Sequence, residues 1–221
     1  MSSYWDRRYQ TDNSFFGEEP SNFALSCYNQ YLKKNNLKKI LDLGCGQGGD
    51  TLFFASEGIE ISALDYSSVA IDGLIKRAKE RNLLTNIHTS IFDARSNNTL
   101  PFDKDEFDAV YSHMFFNMRF TWEQMKFMFQ EIRRVLRSNG FNFFSVRNHN
   151  DKSFGKGKKI DNNDDVYDLK GFEIRFFTKE HLKGLVKEEH QRNIRRISHI
   201  ISCFNKKNMI ANNIYLFEKI P

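Results

Sequence analysis

Residues 41–50, LDLGCGQGGD, contain a cluster of four glycines, and an acidic side chain, Asp42, lies just before it at the end of an apolar run. Glycine lets the backbone bend tightly and lets a ligand approach it closely, so the cluster predicts a turn around a small molecule. Gly44, Gly46 and Gly49 satisfy the spacing G-x-G-x-x-G, and Asp65 follows further along the chain. This pattern is typical of a dinucleotide site, in which the acid binds a ribose hydroxyl.

Asp42 favours a different ligand. A dinucleotide loop usually has an apolar residue at this position, because a carboxylate beside a pyrophosphate is unfavourable. The same carboxylate is favourable beside a cationic amino group. S-adenosylmethionine combines an amino acid, a sulfonium and an adenosine, and it therefore fits the loop better than a dinucleotide does.

Further motifs support this interpretation. The chain resembles the class I S-adenosylmethionine-dependent methyltransferases over nearly its whole length. The stretches that carry the resemblance are LDLGCGQGGD, ALDYS (63–67), FDA (92–94), FDAVYSHMFFN (107–117) and EIRRVLRSNGFNFFSV (131–146). They arrive in the order and at the spacing that the family shows.

The resemblance implies roles for the residues near the glycine cluster. The backbone of Gly44 and Gly46 is expected to pass under the methionine part of the cofactor. Asp42 is expected near the cofactor's ammonium group, directly or through water. Asp65 is expected to accept hydrogen bonds from both ribose hydroxyls.

The resemblance also implies an adenine site. Tyr66 is expected to lie against the ring, and Asp93 to accept a hydrogen bond from the exocyclic amine, with the Ala94 amide nearby. The alternative for Asp93 is an acid that starts a helix. Cys45, inside the glycine cluster, is expected to be a small packing residue rather than a reactive thiol.

The acceptor is expected above the carboxyl ends of the strands, where ligands of open α/β sheets bind. His113 follows the fourth predicted strand and is a candidate both for contact with the cofactor and for a general base. His149 is a second candidate base, and Arg147 a candidate for holding the acceptor. Arg119 and Arg175 are further cations that suit an anionic acceptor. The alternative for Arg147 is an ion pair that anchors the loop that follows it.

An aromatic segment near the start, YWDRRY (4–9), resembles the N-terminal helix that folds over the cofactor in many small-molecule methyltransferases. Tyr4, Trp5 and Tyr9 then form an apolar cover, with Trp5 against the cofactor, and Arg8 is available for an anion. The alternative is a plain helix packed on the edge of the sheet.

These residues need a parallel sheet to position them, and the hydrophobic pattern predicts one. Apolar runs alternate with helical periodicity, which is typical of strands covered on both faces. The predicted fold is α/β: a Rossmann-like, seven-stranded, mostly parallel sheet with helices on both faces, whose last two strands form an antiparallel hairpin. The predicted strands are 37–43, 59–65, 86–93, 107–112, 141–147, 194–203 and 212–219, with a helix from Thr121 ending at SNG (138–140) and a loop at 150–165.

We expect one methyltransferase domain over residues 1–221. Residues 1–36 form an N-terminal helical lid segment outside the sheet, and residues 37–147 form the half that binds the cofactor. Residues 148–221 supply a loop on the substrate side, a helix and the terminal hairpin.

Composition limits the remaining possibilities. Hydrophobic residues make up 40% and charged residues 28% of the chain, and no apolar run approaches the roughly 20 residues that span a bilayer. The polar N-terminal stretch is not expected to act as a secretory leader. Cys27, Cys45 and Cys203 are far apart and odd in number, so we expect no disulfide framework, no metal site and a cytoplasmic protein.

The predicted function is methyl transfer from S-adenosylmethionine to a small molecule, at an oxygen, nitrogen, sulfur or other chalcogen atom, by in-line displacement. The net charge of +5 leaves a nucleic-acid methyltransferase as an alternative. That alternative is disfavoured because no NPPY-type or DPPY-type tetrapeptide follows the fourth strand. A binding protein without transferase activity is the other alternative. The acceptor and the oligomeric state stay open.

Overall fold

Two sheets form the framework of the protein. The structure is a computed structural model that describes residues 4–12, 15–96, 98–160, 164–188, 200–201 and 213–219. The strands of this part are β1 (Lys39–Leu43), β2 (Glu60–Asp65), β3 (Ile87–Ile91), β4 (Phe107–His113), β5 (Leu136–Arg147), β6 (Lys158–Lys159), β7 (Val166–Asp168), β8 (Glu173–Arg175), β9 (Ile200–Ile201) and β10 (Asn213–Lys219).

The larger sheet has seven strands in the order β3-β2-β1-β4-β5-β10-β9. The first five are parallel, β10 runs antiparallel to β5, and β9 runs antiparallel to β10. This arrangement confirms the predicted mostly parallel sheet with a terminal hairpin. Parts of the two predicted terminal strands, residues 194–199, 202–203 and 212, lie outside the described residues.

Helices lie between these strands and at the N-terminal end. They are α1 (Tyr4–Thr11), α2 (Asn22–Cys27), α3 (Gly49–Ser56), α4 (Ser68–Glu80), α5 (Trp122–Val135) and α6 (Lys179–Glu188). Side-chain hydrogen bonds set the starts of α4 and α5, and the predicted helix start at Thr121 is confirmed. Ser67 caps α4 by accepting from the Ala70 N–H, and Thr121 forms a capping box with Gln124 at the start of α5.

The sheet carries a buried apolar layer on each face, because its central strands have apolar side chains on both sides. One layer joins α2, α3 and α4 to the sheet through residues such as Phe23, Phe54 and Leu74. The other joins α5 and α6 to it through residues such as Met128 and Leu182. Helices therefore cover both faces, as predicted. The two layers hold the carboxyl ends of β1, β2 and β4 at one edge.

The boundary between α5 and β5 differs from the prediction. The helix ends at Val135, and the strand already begins at Leu136, before the SNG stretch that was predicted to end the helix. Leu136 is buried and extended, opposite Phe107 of β4, so burial of this side chain takes the chain out of the helix early. Asn139, with φ of 65°, lies in the irregular start of the strand.

The predicted loop at 150–165 is also partly wrong. It contributes β6 to a three-stranded antiparallel sheet with β7 and β8. Lys170 and Gly171 both have positive φ in the turn between β7 and β8, as the tightest hairpins require. A side chain at Gly157 would collide with the Asp168 carbonyl, which explains a glycine where β6 approaches β7. The hairpin turn places Phe172 near α1.

Candidate active site

A cavity of about 270 Å³ lies over the carboxyl ends of β1, β2 and β4. This is the edge at which ligands of parallel α/β sheets bind. Its wall has a polar part, formed by residues that follow β1, β2 and β3. The rest of its wall is largely aromatic and comes from α1, from the segment after β4 and from the β7–β8 hairpin.

The glycine loop after β1 lies at the base of the cavity. Gly44 is in the wall, with φ of 73°, and a side chain there would collide with Phe115. Gly46 has φ of 53°, and a Cβ atom there would lie 3.0 Å from the Tyr9 hydroxyl oxygen. Both positions therefore require glycine for backbone conformation and for space. Gly44 borders the cavity, whereas Tyr9 covers Gly46.

Asp65, the last residue of β2, is in the wall of the cavity. Its two carboxylate oxygens accept hydrogen bonds from the Gly46 and Ser67 backbone N–H groups, both at 2.9 Å. Burial raises the pKa of Asp65, and these backbone hydrogen bonds oppose that shift. Each carboxylate oxygen has two lone pairs, so the residue can still accept hydrogen bonds from ligand hydroxyls.

Asp42 is buried behind the glycine loop and is not part of the cavity wall. Its carboxyl oxygen Oδ2 accepts a hydrogen bond of 2.6 Å from the Thr51 hydroxyl. Burial raises the pKa of Asp42 to about 8, an effect that the Thr51 hydrogen bond opposes and that Asp50 and Asp65 reinforce. Asp42 is thus in its neutral form near pH 7 unless a cation approaches.

The structure brings the three predicted adenine-site residues into one part of the wall: Tyr66, Asp93 and Ala94. Asp93 accepts two hydrogen bonds of 2.9 Å from the Arg95 side chain and one of 3.0 Å from its backbone N–H. This pairing lowers the pKa of Asp93. The backbone bond also caps the short helix at Ala94–Ser96, which was the alternative role for this acid. Arg95, which the sequence analysis missed, lies 4.9 Å from the Tyr66 ring centroid.

His113 ends β4 in the wall of the cavity. Its Nδ1 lies 2.7 Å from the Ser145 hydroxyl oxygen, and its ring stacks on Phe23 at 5.5 Å. Burial lowers the pKa of His113, and the nearby Arg147 lowers it further, whereas Asp50 opposes both effects. The imidazole is therefore neutral at pH 7.

The structure does not bring Arg147, His149 or Arg175 into the cavity wall. The Arg147 guanidinium pairs with Asp151 at 2.6 Å, which is the anchoring role considered for it. The other two pair with acids outside the cavity: His149 with Asp165 at 2.8 Å, and Arg175 with Asp164 at 2.6 Å.

These placements do not support the candidate catalytic roles of Arg147 and His149. Each side chain is directed to a carboxylate beside the small sheet instead of to the cavity. His149 also stacks on Phe154 at 4.1 Å. The carboxylate partners follow in the loop that was predicted to be irregular, so their positions were not visible in the local pattern.

Arg119 is the predicted acceptor-side arginine that does reach the wall. Its Nη1 lies 3.0 Å from each carboxylate oxygen of Glu173, and Glu173 is in the wall as well. The pair links the segment after β4 to the β7–β8 hairpin. The cavity therefore has a cation and an anion side by side on its acceptor side.

The α1 helix closes one side of the cavity with aromatic rings. Trp5 stacks on Tyr9 at 5.4 Å, contacts Phe172 edge to face at 5.1 Å, and donates its indole N–H to the Met118 sulfur at 3.4 Å. Tyr4 stacks on Phe172 at 4.9 Å. The sequence analysis singled out the α1 aromatics but missed Phe172, whose only local signal is the Lys-Gly turn before it.

A partly buried polar cluster near His113 was also missed. Asp50, in the first turn of α3, accepts hydrogen bonds from the hydroxyls of Tyr111 and Ser21 at 2.5 and 2.9 Å and from the Ser21 N–H at 2.7 Å. The cluster ties α2 and α3 to β4, which positions the strand end that carries His113. Within the described part of the chain, no group of histidine, cysteine and acidic residues is arranged to hold a metal ion.

Residues 40–140 match the family model of the methyltransferase domain. They span the glycine loop, Asp65, the adenine-side residues and β4. The match covers a little under half of the chain and shows that this part is similar to a methyltransferase domain, and the sheet order and the placement of these residues agree with that similarity. Among curated proteins, the chain is 27% identical over 104 residues to a Haemophilus influenzae protein named probable S-adenosyl-L-methionine-dependent methyltransferase TehB. That match covers 47% of this chain and about a third, 34%, of the relative.

Solved structures agree in fold over more of the chain. An S-adenosylmethionine-dependent methyltransferase from Clostridium acetobutylicum covers 99% of both chains, with a TM-score of 0.70 and 16% identity. A methyltransferase from Methanosarcina mazei covers 86% of this chain and 97% of its own, with a TM-score of 0.64 and 19% identity. At such identities the likeness shows the fold. No helix among the described residues is long and apolar enough to cross a membrane.

Proposed function

We propose that this protein transfers a methyl group from S-adenosylmethionine to a small-molecule acceptor by in-line displacement. The observation that carries the proposal is a single cavity whose wall contains both a polar, nucleoside-type part and an aromatic part. Gly44 and Asp65 belong to the first part, and His113 lies in the same wall at the end of β4.

The polar part fits the cofactor residue by residue. Gly44 leaves its backbone uncovered at the base of the cavity, and Asp65 retains lone pairs for two ribose hydroxyls. Tyr66 and Asp93, with the backbone of Ala94, form a site for an adenine ring. Asp42 is near enough to the loop to respond to an ammonium group by losing its proton.

The α1 helix supports a lid role. Trp5 and Tyr9 place aromatic surface over the glycine loop, and the contacts of Trp5 with Phe172 and Met118 close the cavity on the acceptor side. A closed site excludes water, which strengthens electrostatic interactions and prevents hydrolysis. The cover also leaves little room for a polymer, which favours a small acceptor over a nucleic acid.

When bound, S-adenosylmethionine supplies an activated methyl group on a sulfonium with a good leaving group. The chain then has to orient the acceptor and keep water out, since alignment of the reacting atoms provides most of the rate enhancement. His113 is placed to contact the acceptor. Phe115 and Phe120, also in the wall, supply apolar surface, and Arg119 with Glu173 supplies charge at the margin.

The test combines binding and turnover. Calorimetry is expected to show binding of S-adenosylmethionine and S-adenosylhomocysteine, and none of NADH. Formation of S-adenosylhomocysteine is then measured with a panel of small thiols, phenols, amines and carboxylates, in parallel with single-stranded and duplex oligonucleotides. Faster methylation of an oligonucleotide than of every metabolite would contradict the small-molecule proposal. Tight cofactor binding without turnover of any acceptor would support the non-catalytic alternative instead.

A further inference from the structure

His113 and Ser145 lie side by side on two neighbouring strands, β4 and β5, and His113 is in the wall of the cavity. The register of β4 and β5 pairs these two residues directly. The imidazole Nδ1 lies 2.7 Å from the Ser145 Oγ, which is a short hydrogen bond. Ser145 is fully buried, so its hydroxyl has no access to solvent.

The direction of this hydrogen bond follows from counting protons on Ser145. The Met114 backbone N–H donates to the same hydroxyl oxygen at 3.0 Å, so that oxygen already acts as an acceptor once. Within the part of the chain that the structure describes, the other hydrogen-bond partner of Oγ is His113 Nδ1. The hydroxyl proton therefore has Nδ1 as its acceptor.

The opposite direction has a definite cost. If Nδ1 carried the proton and donated it to Ser145, the serine hydroxyl proton would be buried without an acceptor. A buried donor without an acceptor has given up its hydrogen bond to water and gained none in return, which is unfavourable. With Ser145 donating, the hydroxyl and the Met114 N–H are both satisfied, and the neutral ring then carries its proton on Nε2.

We infer that Ser145 holds His113 in the Nε2–H tautomer, so that His113 is a hydrogen-bond donor to the acceptor molecule and not a general base. Ser145 is a positioning residue in this scheme, since it acts through His113. The inference deepens the proposed function and rests on it for the identity of the bound molecule, whereas the tautomer itself belongs to the protein alone.

The surroundings of His113 support a neutral ring with one nitrogen available. Phe23 stacks on one face of the ring, and burial is the largest cause of the lowered pKa of His113. The charged groups that act on the ring are Asp50, which opposes this shift, and Arg147, which adds to it. Nε2 has no hydrogen-bond partner among the described residues. It is also not one of the fully buried nitrogen and oxygen atoms that lack a partner, so it is available to a ligand.

The chemical class of the acceptor follows from this assignment. A neutral Nε2–H group cannot take a proton from an alcohol, amine or thiol, but it can hold an oxygen or an anion that accepts a hydrogen bond. The acceptor is then a molecule whose nucleophilic atom is already anionic in solution near pH 7, such as a carboxylate or a thiol of low pKa. Its positioning requires one hydrogen-bond acceptor near the reacting atom.

The test reads the tautomer directly by nuclear magnetic resonance of the full chain with ¹⁵N-labelled histidine at pH 7.5. We expect an unprotonated Nδ1 and a protonated Nε2 for His113, without averaging between tautomers. His88, which is exposed, serves as the internal control with averaged shifts. The His113 signals are assigned by their loss in His113→Gln.

Two variants complete the test. Ser145→Ala is expected to give His113 the averaged shifts of the His88 control, and Ser145→Thr, which keeps a hydroxyl, is expected to restore the single tautomer. A protonated Nδ1 in the wild type, or averaged shifts that Ser145→Ala leaves unchanged, would overturn the inference. Because no cofactor is needed for this measurement, a failure to bind S-adenosylmethionine would be seen separately, by calorimetry.

Discussion

The Trp5 indole N–H donates to the Met118 sulfur at 3.4 Å, joining α1 to the segment that follows β4 across 113 residues of chain. This contact is part of an aromatic cover in which Trp5 also meets Tyr9 and Phe172. The cover closes a cavity whose polar wall is the glycine loop and Asp65. Helix α1 is therefore held to the segment after β4 and to the β7–β8 hairpin as well as to the glycine loop.

Replacing Trp5 with alanine tests the lid. The change removes the largest side chain that α1 contributes to the cavity wall. We therefore expect S-adenosylhomocysteine affinity to fall about tenfold while the fold is retained. Calorimetry measures the affinity, and circular dichroism the fold. Gln10→Ala, an exposed change on the same helix, is the matched control. Removal of residues 1–20 is expected to have a larger effect in the same direction; full activity after either change would mean that α1 is not a lid.

Replacing Asp65 with alanine tests the ribose site. The change removes two expected charge-assisted hydrogen bonds, each worth about 1.5–3 kcal/mol. We expect the affinity for S-adenosylmethionine to fall more than tenfold in calorimetry. Asp72→Ala, which removes an exposed acid of α4, is expected to change nothing. Equal affinity in the wild type and the Asp65 variant would refute this assignment.

The raised pKa of Asp42 predicts how stability depends on pH. Folding raises this pKa from 3.8 to about 8, so the protonated acid favours the folded state. The contribution is complete below about pH 4 and is lost as the pH rises towards 8. Asp42→Asn does not titrate. Relative to the wild type without cofactor, its free energy of unfolding is therefore expected to improve by roughly 3–4 kcal/mol between pH 5 and pH 8.

Urea unfolding at pH 5, 6.5 and 8 measures this difference. The comparison with the wild type cancels His113, whose lowered pKa acts in the opposite direction below pH 6.5. Asp72→Asn serves as the exposed control. Parallel pH profiles for the wild type and Asp42→Asn would show that Asp42 does not titrate in this range.

The structure changes which arginine is expected to position the acceptor. Arg119, in the cavity wall, replaces Arg147 as the residue expected to position an anionic acceptor. Arg119→Met keeps the bulk and removes the charge, so we expect KM to rise or kcat to fall at least tenfold with cofactor affinity unchanged. Steady-state kinetics with the acceptor found in the small-molecule panel measures this effect.

Arg147→Met is the matched comparison. It leaves the buried Asp151 carboxylate without its 2.6 Å partner, so we expect a loss of stability of about 1–3 kcal/mol with little change in KM. Urea unfolding measures the loss. If Arg147→Met impaired acceptor turnover more than Arg119→Met did in stable proteins, the original sequence-based assignment would be restored.

The variant His113→Gln tests whether His113 acts as a hydrogen-bond donor or as a general base. The glutamine amide keeps an N–H donor near the position of Nε2 but cannot take a proton. We expect S-adenosylhomocysteine formation to stay within about tenfold of the wild type, whereas His113→Leu is expected to lose more. A general base would instead contribute about 10²–10⁴-fold, and both variants would lose it. Equal losses of that size would contradict the donor role.

The sequence by itself determined the local requirements of the site. Gly44, Gly46 and the acid at the end of β2 could be predicted because a tight turn after a buried strand needs specific residues at neighbouring positions. The order of strands and helices followed from apolar periodicity, which is also a local property. The capping box at Thr121 is also a local feature, since its two residues are three positions apart in the sequence.

Only the tertiary structure decided which distant residues meet. Ser145 lies opposite His113 because of the register of β4 and β5, and Phe172 reaches Tyr4 because a small sheet forms in a segment without strong periodicity. The partners of Arg147 and His149 depend on the same segment. Such contacts result from packing and strand register between segments far apart in the chain. Packing and register produce no periodic pattern in the sequence, so the spacing of nearby residues does not predict them.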